Sequence, residues 1–199
     1  MNYPEISLIY HESLPDEMFN DFRESVSDDR FNIVVESRED DGPMACPEWF
    51  GMAAIVAYIA KPYFESALKE MGKDHYQILK DKLSSLASDV MRKPKIEPTL
   101  VGTKGKISST NPYSLAIFIL AEANDGNRIK LLVPKYSEEY DYSEMVNKFM
   151  EFLDEYYSGV KSIESIGFDS STKPPSRTIF VHMNPDTKEI EWLDHREYI

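Results

Sequence analysis

Apolar and polar positions along the chain alternate in some stretches and recur at helical spacing in others, which predicts a mixed succession of strands and helices. Residues 6–11, Ile-Ser-Leu-Ile-Tyr-His, are short, rich in β-formers and followed by a turn, so they read as a first strand. Met18, Phe19, Phe22 and Val26 then give a helix one apolar face, with Ser13 as its cap and Pro15, Asp16 and Glu17 in its first turn. Residues 31–35, Phe-Asn-Ile-Val-Val, make a second strand. Strand, helix and strand within about 35 residues have the length of a parallel βαβ unit joined by a right-handed crossover.

The run 49–60 holds no charged residue and has small residues at Gly51, Ala54, Ala57 and Ala60. With Pro47 and Glu48 before it, it is expected to be a buried helix, the interior post of the fold. Pro62 should kink or break it near Lys61. A stripe of Tyr63, Phe64, Ala67, Leu68 and Met71 follows up to Gly72, a C-terminal stop. Asp74 and Gln77 form a capping box for a further helix with Leu79, Leu83, Leu86 and Val90 on one face.

Runs at 115–120 and 128–133 are continuously apolar, as in strands buried on both faces, and Asp125-Gly126 between them signals a hairpin, although alanine and leucine also permit a helix over 115–123. Asp141 and Glu144 make a capping box, Tyr140 and Met145 a hydrophobic staple, and Met145, Phe149, Phe152, Leu153 and Tyr156 the apolar side of the helix they open. Gly159 should stop it. Residues 178–183 and 190–193 frame a turn-rich link between two antiparallel strands. The expected fold class is therefore α/β or α+β: a mixed sheet opening with a βαβ unit, a long kinked central helical segment, and antiparallel hairpins in the C-terminal half. One globular domain, 1–199, is expected, with irregular connections at about 92–112 and 158–176.

Composition narrows the class further. Apolar residues at 42% and aromatics at 12% belong to a folded chain. The single cysteine, Cys46, excludes an internal disulfide and reads as a small apolar filler. The first residues show no basic, apolar leader, which sets a cytoplasmic expectation. Net charge is −13 and unevenly spread. Residues 1–60 carry 13 acids against 3 bases, 61–112 carry 6 against 10, and 113–199 carry 16 against 9. That balance disfavours nucleic-acid backbone, whose affinity comes from cations, and suits a basic protein partner.

Candidate chemistry is sparse. His11 and Glu12 after the first strand, with Glu39, Asp40 and Asp41 after the second, would share the carboxyl edge of a parallel sheet, where α/β proteins commonly bind ligands. The carboxylates lack the spacing of a calcium loop, so no metal is expected. Lys104 and Lys106 in Gly102-Thr103-Lys104-Gly105-Lys106 suggest an anion site but lack the P-loop arrangement. Glu151, Asp154 and Glu155 form an acidic outer helix face, a candidate interaction surface. His11, His75, His182 and His195 show no zinc spacing, although His11 and His182 both fall in or beside strands that could meet. Neither a nucleophile elbow nor a dinucleotide fingerprint is present, and no cofactor is expected. The leading expectation is a non-enzymatic, acidic interaction or regulatory protein, inhibitor- or immunity-like, that binds a basic partner. One alternative is a membrane-active or oligomerising effector using the helix at 49–60. The other is an enzyme or small-ligand-binding domain at the strand edge near His11 and Glu39–Asp41.

Overall fold

The computed structural model describes residues 3–39, 53–69, 72–92, 111–194 and 196. Its strands are β1 (Ile6–His11), β2 (Ile33–Arg38), β3 (Ile55–Ile59), β4 (Ile117–Glu122), β5 (Arg128–Leu131), β6 (Thr178–Met183) and β7 (Ile190–Trp192). The helices are α1 (Asn20–Val26), α2 (Lys61–Ala67), α3 (Lys73–Met91) and α4 (Tyr142–Tyr157). All seven strands form one sheet in the order β2-β1-β3-β4-β5-β6-β7. The opening βαβ unit is as the sequence implied: β1 and β2 are parallel neighbours, with Ile6 opposite Ile33. The same device then recurs twice. β3 and β4 are parallel neighbours joined through α2 and α3, and β5 and β6 are parallel neighbours joined through α4. Antiparallel pairings connect one unit to the next, and β7 closes the sheet against β6.

One central expectation is overturned. Residues 55–59 are a strand in the interior of the sheet, not part of a helix at 49–60, and Ala60 is already the extended cap of α2. Residues 49–52 lie outside the described residues. Four of the five residues of β3 are Ile, Val or Tyr, types that suit a pleated surface better than a helix. A short apolar run reads the same way in a buried strand and in a buried helix, and here length and β-branching decide. The helical segment does exist, beginning at Lys61, where Pro62 opens α2 in place of kinking a longer rod.

Alternate strand residues divide the two faces of the sheet. Leu8, Ala57, Ile119, Leu131 and Val181 belong to one continuous core with the buried sides of all four helices, so the helices occupy a single face. Phe118 and Leu120 pack with Val56 and Tyr58 on the other face, and Tyr113, Leu132, Phe180 and Leu193 form a further cluster there. Both faces of β4 and β5 are thus buried, as their unbroken apolar runs imply. Lys130 is buried among them, its Nζ 3.2 Å from the Phe118 ring centre.

Local signals fared unequally. Asp141 caps α4, its carboxylate accepting the Glu144 N–H at 2.9 Å, but the Glu144 side chain turns to Lys188 instead of closing the box. Ser13 hydrogen-bonds His11 and caps nothing, and a 3-10 turn at Asp16–Phe19 precedes α1. Asp74 lies inside the first turn of α3, whose cap is Gly72. A side chain at Gly72 would overlap the backbone of Ala67, so the close approach of α2 and α3 requires glycine there.

Candidate functional site: a groove between α4 and β7

The apolar side of α4, including Phe149, Phe152 and Leu153, is buried in the core, which leaves Glu151 and Asp154 on the outer side of the helix. The helix ends in a Schellman turn. Val160 N–H donates to the Glu155 carbonyl at 2.8 Å and Gly159 N–H to the Tyr156 carbonyl at 3.2 Å, with Gly159 at φ 78°. That reversal brings Lys161 back along the helix it has just left. Its ammonium lies 2.7 Å from a Glu155 oxygen and 3.9 Å from one of Glu189, on the loop between β6 and β7. A 3-10 turn, Ile163–Ile166, follows and ends at Gly167 with φ 90°.

Between α4, this turn and β7 lies a groove of about 800 Å³. Its apolar lining is Phe152, Ile166, Ile190 and Trp192, the last packed edge-on against Phe168 with ring centres 5.7 Å apart. Its charged lining is five carboxylates, Glu151, Asp154, Glu155, Glu189 and Glu191, against the two ammonium groups of Lys148 and Lys161. A hydrogen bond from Lys80 holds the Glu151 carboxyl below the ordinary range, and Lys148 at 3.6 Å adds to the effect. The bond to Glu155 raises the Lys161 ammonium above its ordinary value, so it stays charged at neutral pH. Glu191 is fixed by the Asn184 amide, which donates to both carboxylate oxygens at 2.9 and 3.0 Å. Asp154 is exposed and takes part in none of these pairs.

No family model matches the chain, and no curated protein or solved structure is significantly similar to it.

The structure places the acidic stripe on α4, Glu151, Asp154 and Glu155, in the wall of this groove. The strand-edge candidates sit elsewhere. His11 is opposite Arg38 at the ends of β1 and β2, and the Glu12 N–H donates to the Arg38 carbonyl at 2.9 Å. The ring Nδ1 of His11 is bonded to Ser13, and Glu39 is exposed one residue beyond β2. Asp40, Asp41, Lys104, Lys106, Cys46 and His195 lie outside the described residues. His11 and His182 do not meet. Three strands separate β1 from β6, so about 19 Å of sheet lies between them. No cluster of His, Cys, Asp or Glu among the described residues could hold a metal ion. None of the described helices is long and apolar enough to cross a membrane, and the strand at 55–59 removes the helix on which a membrane-active or oligomerising role was to rest.

Sequence reasoning missed Lys161, Ile166, Glu189, Glu191 and Trp192 as groove residues. A signal for three of them was present: Glu189 and Glu191 alternate with Ile190 and Trp192, the period-two pattern of a strand with one acidic and one apolar side.

Proposed function

We propose that this is a non-enzymatic interaction protein that receives a basic segment of a partner protein in the groove between α4 and β7, in the manner of an inhibitor or immunity protein. The observation that carries this reading is the combination of an apolar floor with a rim of five carboxylates and two ammonium groups. The excess of negative charge selects a cationic partner and speeds its approach, and Trp192, the only one of the four apolar lining residues not already buried, offers it apolar contact. Lys161, seated between Glu155 and Glu189, shows the kind of group this rim accommodates.

The test is fluorescence anisotropy with a labelled seven-residue peptide of alternating lysine and valine, titrated over a salt series. Reversing Glu151, Asp154 and Glu155 to Lys should weaken binding on the order of tenfold, given the small contribution of each exposed pair. Reversing the exposed Glu17, Glu24 and Asp29, remote in sequence and outside the groove lining, makes the same change in net charge. Equal losses in the two triple variants, or no loss in the first, would reject the groove as the binding surface.

A further inference from the structure

Among the described residues β7 is the last strand of the sheet, so one of its edges has no described strand beside it. The direction of its main-chain groups follows from the pairing. Leu193 N–H donates to the Phe180 carbonyl and Asn184 N–H to the Glu189 carbonyl, each at 2.9 Å. Hydrogen-bonded and non-bonded pairs alternate along an antiparallel ladder. With Val181 opposite Trp192, His182 opposite Glu191 and Met183 opposite Ile190, residues 189, 191 and 193 turn their N–H and C=O groups toward β6. The same groups of Ile190 and Trp192 turn the other way, to the open edge. The groove is lined by Glu189, Ile190, Glu191 and Trp192 in unbroken succession, so it runs along this edge.

Resting on the reading above, we infer that the groove's occupant is an extended cationic segment of the partner that joins the sheet beside β7 as an eighth strand. Its main chain bonds to Ile190 and Trp192. Its side chains alternate, apolar ones on the helix side against Ile190 and Trp192, and Lys or Arg on the other side near Glu189 and Glu191. Charge decides between this occupant and a second copy of the chain. Two β7 strands paired with each other would set the acids of one against the acids of the other, which is destabilising. A short edge strand flanked by like charges is a recognised guard against self-pairing, and here it leaves the edge open to a cation-bearing strand.

The probe is the same lysine–valine peptide, compared with two derivatives methylated on alternate backbone nitrogens, one on the valine amides and one on the lysine amides. Charge and side chains are identical in all three. A strand beside β7 uses only one set of amides, the valine set if antiparallel and the lysine set if parallel. One derivative should therefore lose tenfold or more in affinity, while the other keeps the parent value. Saturation with the parent peptide should also slow hydrogen exchange of the Ile190 and Trp192 amides at least tenfold. Equal affinity, or equal loss, for the two derivatives overturns strand addition while leaving groove binding in place, as does unchanged exchange at both amides. A peptide-free dimer dissociated by Glu189→Lys or Glu191→Lys would overturn the choice of partner. Failure of the parent peptide to bind removes the groove reading as well.

Discussion

Two histidines, one buried and one half-buried, show how much of this molecule is settled one side chain at a time. His75 is 2% exposed, with Nε2 2.8 Å from the Val26 carbonyl and Nδ1 2.9 Å from the Tyr63 hydroxyl. A carbonyl only accepts, so Nε2 carries the proton and Nδ1 receives that of Tyr63 in the neutral ring. The residue ties the end of α1 to α2 and α3. His182 is placed differently. Its Nδ1 is 3.2 Å from the Tyr113 hydroxyl, Glu191 lies opposite it on β7, and burial pushes its pKa below the ordinary value despite that carboxylate. The unfolded chain therefore takes up this proton before the folded one does. His182 imposes no penalty above the unfolded value of about 6.5 and destabilises the fold as pH drops through it toward the lower folded value. Urea midpoints should fall between about pH 7 and about pH 5, and His182→Gln should flatten that slope. An unchanged slope would show that the proton is taken up elsewhere.

At the scale of elements, what was legible in the sequence depended on how local the deciding interaction is. Asp141 and Glu144 are three residues apart, and the cap they imply is present. The stop at Gly159 is equally local, whereas Pro62 has no helix before it to kink and stands in the first turn of α2. The identity of 55–59 is not. Its apolar character is shared by any buried element, and only its neighbours β1 and β4 make it a strand. The site divides in the same way. The acidic stripe on α4 could be read from helical spacing, but its opposing wall comes from residues 161–192, joined to it only by the fold. The cap gives a direct test. Asp141→Ala leaves an N–H of the first turn of α4 without its acceptor and should cost about 1 kcal/mol, read as a lowered urea midpoint. Cap and groove have no residue in common, so peptide affinity should be unchanged, and a loss of affinity would mean that the groove depends on the register of the whole helix.

At the scale of the whole molecule, the three βαβ units are not equivalent. β1 and β5 point the same way, and their helices share a face, yet β2 and β6 lie on opposite sides of their partners. The first and third crossovers therefore have opposite hands, although such connections are right-handed in about 98% of cases. Of the six positive-φ residues described, Gly159, Gly167, Ser176 and Arg177 lie on the return from α4 to β6, the segment that also builds the groove. Despite this irregularity, a single apolar core runs from β1 and β2 through β7 and takes in every helix. A core without an internal boundary implies one cooperative transition. Phe149 is fully buried in it on α4, so Phe149→Ala should cost about 3–5 kcal/mol. If the units are one body, far-UV circular dichroism and tryptophan fluorescence will report the same lowered midpoint in urea. Two separated midpoints, with only one moved by the substitution, would show instead that α4 and its strands unfold independently of the opening unit, and the groove would then belong to a subdomain.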